Sequence, residues 1–141
     1  MDELVGVCVA YAAQLDEFPV RELELSLLKN AKYMEASHAL QLLSHWYKIA
    51  STELLEVLER VIGTSVDTLS AEELLSAYTL FYKAGQRDDA IVRPKILHHL
   101  QHRVAEHLGQ VPTSQLCDLV YLLGSSKDTQ TMRDLELEKF V

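Results

Sequence analysis

The sequence predicts an all-α fold of antiparallel helical hairpins, stacked in a short right-handed α-solenoid of about four repeats. Two observations predict this fold. Apolar residues recur at the i, i+3, i+4, i+7 spacing of amphipathic helices, and the whole pattern returns after 35 residues. A fixed period of this length is typical of stacked helical hairpins. The equivalent positions are Leu4, Ala39 and Leu74; Val7, Leu42 and Ala77; Cys8, Leu43 and Tyr78; and Tyr11, Trp46 and Phe81.

The first helix of each hairpin carries this apolar pattern. The third copy has the clearest start, because Ser70 and Glu73 have the spacing of a capping box. Gly85 is a suitable end for the same helix. In the fourth copy, Pro112 and Thr113 open the helix. We expect first helices near residues 3–14, 37–48, 71–83 and 114–123.

The second helices have an apolar stripe of their own. It begins with Val20 and with Leu55, which are again 35 residues apart. Asp16 and Ser51 precede the stripes at the same separation and are N-cap candidates. Gly63 is a C-terminal stop signal. Second helices are expected near residues 18–29, 52–62, 88–108 and 129–140.

The period is interrupted once, in the third repeat. Leu97 corresponds to Leu55 at an offset of 42, so seven residues are inserted between the two helices of that repeat. Seven residues are close to two helical turns, so a lengthened helix keeps its apolar face. We place the insertion at 88–95, with Asp88 as the cap and Pro94 in the first turn or at a kink. The predicted domain is 1–141, with repeats near 1–34, 35–69, 70–112 and 113–141.

Composition and charge narrow the class of protein. A hydrophobic fraction of 48% and a charged fraction of 24% are those of a folded globular chain. The net charge of −8 disfavours a general nucleic-acid binder, since phosphate contacts need an excess of lysine and arginine. No apolar run approaches the roughly 20 residues of a membrane span, and the start MDELV carries acid where a signal peptide carries base. Cys8 and Cys117 lie in helical apolar patterns, so both are expected in the core.

The third repeat resembles a known group of helical-hairpin repeats. The run AYTLFYKAGQRDDAI (77–91) is similar to the inter-helix turn of pentatricopeptide repeats, which share the 35-residue period. The stretch LSAEELLSAYTLFYKAGQRDD (69–89) resembles the heptatricopeptide and octotricopeptide repeats that accompany RAP-domain and FAST-kinase-type proteins. VPTSQLCDLVYLLGSSKD (111–128) looks like the next start of the same type. The resemblance covers residues 69–128, and over 1–68 it rests on the spacing alone.

This resemblance implies an organellar protein that acts on RNA or serves as a subunit of an organellar ribosome or another complex. Pentatricopeptide repeats read bases with polar side chains on their first helices. The equivalent column here is Gly6, Gln41, Ser76 and Asp118, which is not a complete recognition code. The sequence contains neither a RAP domain nor a kinase motif.

The charge is uneven, and one segment is basic. Residues 1–82 carry a net charge of −8 and residues 104–141 of −3, whereas residues 83–103 carry +3. The alternatives for this segment are contact with RNA, contact with an acidic protein, or a solvated helix face. The candidate partner or RNA contacts are Lys83, Arg87, Arg93, Lys95, His98, His99, His102 and Arg103.

The histidines of this segment raise the alternative of a zinc site. His98 and His102 are four residues apart on one helix, and Glu106 could supply a third ligand. However, no HExxH motif is present, and the inward stripe that begins with Leu97 leaves the histidines on other faces. We therefore expect a solvated or partner-facing surface and no bound metal.

Two other groups of side chains have a simpler interpretation as packing or solvated surface. The aromatic residues of the repeat could stack on bases, but their register with core leucines predicts packing between hairpins. These are Tyr11, Trp46 and Phe81, while Tyr47 and Tyr82, one residue later, are expected to be more exposed. The carboxylates of Glu53, Glu56 and Glu59 are predicted to face solvent, because an acid–base pair needs a cleft.

The sequence predicts no enzyme and no cofactor. It contains no phosphate-binding glycine loop, no GxSxG and no persuasive pairing of a nucleophile with a base. The predicted function is a non-catalytic helical-repeat adaptor or structural subunit of a larger protein or ribonucleoprotein complex, with other subunits as its partners. The resemblance implies the mitochondrion, with the cytoplasm as the alternative. The alternative function is an RNA-binding helical-repeat protein in organellar RNA processing or translation that uses residues 83–103.

Overall fold

The computed structural model describes residues 1–14, 18–86, 96–125 and 133. Most residues in these ranges are helical, and none of them forms a strand. The all-α class predicted from the sequence is therefore confirmed. The seven α-helices of the described residues are α1 (Asp2–Gln14), α2 (Phe18–Lys29), α3 (Ala36–Trp46), α4 (Thr52–Thr64), α5 (Ala71–Gly85), α6 (Ile96–His107) and α7 (Thr113–Ser125).

Several helices that are neighbours in the repeat pattern are also neighbours in space. α1 packs on α2 and α3, and α3 packs on α4 and α5. α2 also packs on α4, and α5 packs on α6. The helices α1, α3 and α5 thus form a row in which each one also contacts the helix that follows it in the chain.

A short 3-10 turn follows each of α2, α4 and α6. These turns are Ala31–Tyr33, Val66–Thr68 and Leu108–Gln110. The second turn begins 35 residues after the first, and the third begins 42 residues after the second. The backbone therefore shows the same period and the same seven-residue displacement as the apolar side chains do.

The predicted helix bounds agree with α1 to α5 and with α7 to within two residues at either end. α6 occupies 96–107 of the predicted second helix at 88–108. The expected insertion at 88–95, with Asp88 and Pro94, lies outside the described residues, as does the expected cap Asp16. The expected helix at 129–140 also lies outside them, except for Arg133.

The sequence-predicted start signals of α4 and α5 are confirmed. Ser51 Oγ accepts the Leu54 N–H at 3.2 Å, which caps the first turn of α4. At α5, Ser70 Oγ accepts the Glu73 N–H at 3.1 Å, and Glu73 Oε1 accepts the Ser70 N–H at 3.0 Å. This reciprocal pair is the predicted capping box.

The buried side chains form one continuous apolar cluster. Trp46, Tyr78 and Phe81 are fully buried within it. The indole Nε1–H of Trp46 donates to the backbone carbonyl of Cys8 at 3.0 Å, which joins α3 to α1 and satisfies a buried donor. Trp46 and Phe81 are therefore packing residues, as the sequence predicts, and not surfaces on which a base could stack.

α1 buries less of the repeated apolar pattern than α3 and α5 do. Val7 is 43% exposed, whereas Leu42 and Ala77 at the equivalent positions are 0% exposed. Leu4 and Tyr11 are only half-buried. The apolar spacing of α1 therefore gives less burial than the same spacing gives in α3 and α5, and the expected packing of Tyr11 is only partial. The reason is that, among the described residues, α1 has α3 as its neighbour in the row on one side alone.

Two further burial predictions are wrong. Cys117 is exposed, because α7 buries Leu116 and Leu119 and the next residue along a helix points about 100° away. Tyr82 is 1% exposed, and its ring centroid lies 6.2 Å from that of Tyr78. α5 is covered by both α3 and α6, so it buries a wider face than a single apolar stripe predicts.

Candidate interaction surface

The structure describes the two ends of the basic segment predicted from the sequence. Lys83 lies in the last turn of α5. His98, His99, His102 and Arg103 lie in α6. The remaining candidate contacts, Arg87, Arg93 and Lys95, lie outside the described residues.

The histidines of α6 lie away from the core. Leu97 and Leu100 are buried, while His98, His99 and His102 are exposed. This placement agrees with the expectation that the histidines do not belong to the inward stripe. Within the described ranges, no group of three or more histidine, cysteine, aspartate or glutamate side chains could hold a metal ion.

His102 faces a carboxylate of its own helix. Its Nε2 lies 3.2 Å from Oε1 of Glu106, one helical turn later, and both side chains are well exposed. An exposed pair of this kind stabilises a helix by about 0.3–0.5 kcal/mol when the histidine is protonated. Glu106, the third ligand that a zinc site would need, is thus a local hydrogen-bond partner of one histidine.

Arg103 is held in an ion-pair network between α6 and the turn after α4. Its Nη2 lies 3.1 Å from Oδ1 of Asp67, and its Nη1 lies 3.5 Å from Oε2 of Glu106. The Arg103 side chain is only 29% exposed. Two carboxylates therefore balance its charge, which leaves less of it for a phosphate or a partner. Sequence reasoning missed this contact because Asp67 and Arg103 lie in different repeats.

A carboxylate of α4, that of Glu59, accepts a hydrogen bond from the start of α6. The backbone N–H of Ile96 donates to Oε1 of Glu59 at 2.6 Å. The first N–H groups of a helix have no partner within the helix, so Glu59 satisfies one of them from a neighbouring element. Glu59 is half-buried, and the prediction that it belongs to a solvated carboxylate face is wrong. Glu53 and Glu56 of the same face are exposed, as expected.

Lys83 shares an aromatic ring with a lysine that sequence reasoning missed. Its Nζ lies 5.6 Å from the ring centroid of Tyr47, and the Nζ of Lys48 lies 5.8 Å from the same centroid. We call Tyr47, Lys48 and Lys83 the lysine–tyrosine cluster. Lys48 and Lys83 are 35 residues apart, so the repeat period itself could have identified the second lysine.

An open cleft lies between α5 and α7. It has a volume of about 220 Å³ and is lined by Leu75, Ser76, Thr79, Leu80, Gln115 and Asp118. Ser76 and Asp118 are two members of the polar column on the first helices. The structure thus brings these two polar side chains to one cleft.

Burial keeps the Cys8 thiol protonated at neutral pH. The loss of water around it raises the pKa of Cys8 to about 11. A thiol with a raised pKa is a poor nucleophile, because the thiolate is the reactive form. Cys8 therefore acts as a small core residue, as the sequence predicts.

None of the described helices is both long enough and apolar enough to cross a membrane. When the chain is compared with known proteins, it matches no family model, no curated protein and no solved structure.

Proposed function

We propose that this protein is a non-catalytic helical-repeat adaptor or structural subunit of a larger complex. In this proposal, residues 1–141 form one domain of four hairpins stacked as a right-handed α-solenoid. The row of α1, α3 and α5 supports the stacking, since each of these helices also contacts its successor. The spacing of the 3-10 turns supports the repeat bounds near 1–34, 35–69, 70–112 and 113–141.

The observation that carries the proposal is the uncovered face of α1. Val7, Leu4 and Tyr11 occupy positions at which α3 and α5 are fully buried. In those helices, the preceding helix of the row contributes to the burial. Apolar surface that leaves water contributes about 25 cal/mol per Å². A helix of a partner subunit that packs on this face would extend the row and bury these residues.

The location and the class of complex come from the resemblance of residues 69–128 to organellar helical repeats. We place the protein in the mitochondrion, with the cytoplasm as the alternative, and its partners are other subunits of a protein or ribonucleoprotein complex. The alternative function, RNA binding through residues 83–103, is supported by the exposure of His98, His99 and His102. The ion pairs of Arg103 with Asp67 and Glu106 favour the adaptor, because they balance one of the charges that RNA would need.

The proposal is tested by affinity purification of the tagged full chain from cell extract, with the co-isolated subunits identified by mass spectrometry. Val7→Glu places a charge on the uncovered face of α1 and should abolish co-isolation. Gly6→Glu is the matched control, because it adds the same charge to α1 at a position with nothing within 4 Å of the new Cβ. The same subunits should still co-isolate with the Gly6→Glu variant.

RNA binding is separated from this outcome by a second measurement. If residues 83–103 bind RNA, single-stranded RNA should bind the purified chain at low salt, and Lys95→Glu with Arg103→Glu should abolish that binding. Absence of RNA binding at low salt, together with loss of co-isolation in Val7→Glu, is the result that the adaptor predicts. Retention of every subunit by Val7→Glu would contradict the proposed use of the α1 face.

A further inference from the structure

The lysine–tyrosine cluster joins the ends of two neighbouring helices of the row. Tyr47 and Lys48 directly follow α3, and Lys83 lies in the last turn of α5. Because α3 packs on α5, a 35-residue period brings equivalent positions of successive repeats side by side. The period therefore explains why two lysines that are distant in sequence face one ring.

The two lysines of the cluster differ from the paired basic residues of the chain. Arg103 contacts Asp67 and Glu106, and Arg21 lies 3.9 Å from Glu24. Among the described residues, no carboxylate lies within ion-pair distance of Lys48 or Lys83; both instead lie over the Tyr47 ring. The contact between an ammonium group and a ring is an electrostatic attraction to the ring face. It therefore leaves the N–H donors of both lysines available for hydrogen bonds to another group.

The two lysines place positive charge at the border between an acidic and a basic part of the chain. Lys48 lies in residues 1–82, which carry a net charge of −8, and Lys83 opens the segment 83–103, which carries +3. Tyr47 is half-buried and Lys48 is exposed, so the cluster offers a flat aromatic edge flanked by charge. Such a surface complements a short segment that carries carboxylates on either side of an apolar contact.

We propose that the lysine–tyrosine cluster binds a short acidic segment of a partner protein. Two carboxylates of that segment accept hydrogen bonds from the ammonium groups of Lys48 and Lys83, and the chain between them packs on the Tyr47 ring. This inference rests on the proposed adaptor function and names a second contact, distinct from the α1 face.

A peptide fits this cluster better than a nucleic acid does. Affinity for a nucleic acid grows with the number of phosphates neutralised, and two lysines neutralise about two of them. A short peptide with two carboxylates is matched by two cations, so Lys48 and Lys83 are sufficient to bind it.

The test uses the purified full chain and a fluorescein-labelled Glu-Leu-Glu peptide with blocked termini, with binding followed by fluorescence anisotropy at low salt. The double variant Lys48→Ala with Lys83→Ala should bind the peptide about fivefold more weakly, as expected for the loss of two exposed charge pairs. The matched control is Lys29→Ala with Arg60→Ala, which removes the same charge from exposed basic residues of α2 and α4. It should bind as the wild type does. Labelled tri-uridylate, which carries two phosphodiesters and so a similar charge, should bind more weakly than the peptide.

The inference is overturned if the wild type does not bind the peptide at low salt, if both double variants lose affinity equally, or if tri-uridylate binds more tightly than the peptide. Its failure is distinguishable from failure of the adaptor function. If subunits still co-isolate with Lys48→Ala and Lys83→Ala but not with Val7→Glu, the adaptor stands and the cluster is not its contact. If subunits are lost in the cluster variant and retained in the control, the cluster is part of the interface.

Discussion

The helices α1 and α3 carry the same apolar pattern, yet they use it differently. In α3, Leu42 and Trp46 are fully buried, because α1 lies on one side, α5 on the other and α4 behind. In α1, the equivalent Val7 is 43% exposed and Tyr11 is half-buried. Identical spacing thus gives a core where both row neighbours are present, and a partly exposed apolar face where the described residues supply only one. The proposed partner contact at α1 rests on this difference.

The largest difference in the free energy of unfolding is expected when the equivalent residues Val7 of α1 and Leu42 of α3 are each replaced by alanine. Leu42→Ala should lower the free energy of unfolding by about 3 kcal/mol, since it removes a fully buried side chain and leaves a cavity. Val7→Ala should change it by less than about 0.5 kcal/mol, because much of Val7 is already in water. Urea denaturation of both variants measures the two values. Equal losses would show that α1 and α3 are packed alike.

The next largest effect is expected for the hydrogen bond that joins α1 to α3. Trp46→Phe should lower the free energy of unfolding by about 1–3 kcal/mol, because it removes the Nε1–H that satisfies the Cys8 carbonyl and also reduces the buried volume. Tyr78→Phe is a useful comparison, since the Tyr78 hydroxyl donates to Gln101 Oε1 at the long distance of 3.4 Å and should cost less to remove. A smaller loss for Trp46→Phe than for Tyr78→Phe would contradict the assigned junction of α1 and α3.

A moderate effect is expected where α4 caps α6. Glu59→Ala should lower the free energy of unfolding by about 1 kcal/mol, because the Ile96 N–H loses its acceptor. Glu59→Gln keeps an acceptor oxygen and should restore most of that stability. Glu56→Ala, on the exposed side of α4, is the control and should be nearly neutral. If Glu56→Ala and Glu59→Ala are equally destabilising, the loss reflects helix charge and not the cap.

The smallest effect concerns pH at the start of α1. The Glu35 N–H donates to Nδ1 of His38, so Nε2 carries the proton that His38 donates to Oδ1 of Asp2. This hydrogen bond and the nearby imidazole hold the pKa of Asp2 below its usual value of 3.8. Because the folded-state pKa is the lower one, the contribution to stability is complete above pH 3.8 and is lost as the pH falls through the lowered value.

Unfolding measurements across this acid range, on wild type and Asp2→Asn, check the prediction. Asp2→Asn should remove a small part of the pH dependence of the free energy of unfolding below the usual aspartate pKa. The rest of that pH dependence should be unchanged. Glu3→Gln, one residue later on α1, is the control and should keep the wild-type profile. A pH profile that Asp2→Asn leaves unaltered would show that Asp2 does not join α1 to α3 in solution.

The local features of this fold could be predicted from the sequence, because their causes lie within a few residues. The capping box of Ser70 and Glu73 and the helix bounds of α1 to α5 follow from spacing alone. The exposure of Val7 and the burial of Tyr82 depend on how many helices surround α1 and α5, which a stripe along one helix does not show.

The candidate surface could be predicted only in part, for the same reason. Exposure of His98 and His99 follows from their positions outside the inward apolar stripe of α6. The ion pair of Arg103 with Asp67 joins residues in different repeats, and no local pattern indicates it. Lys48 was also missed, although its distance of one period from Lys83 was present in the sequence. A repeat period therefore predicts contacts between repeats when equivalent polar positions, and not only apolar ones, are compared.

Thiol labelling of α1 tests the proposed role of this helix most directly. In a Cys117→Ser background, Val7→Cys should react rapidly with a maleimide in the isolated chain and become protected in the affinity-purified complex. Gly6→Cys, on another face of α1, should react in both states, and Leu42→Cys should be protected in both. Equal labelling of Val7→Cys in the isolated chain and in the complex would contradict the account, because the open face of α1 would then not be where a partner binds.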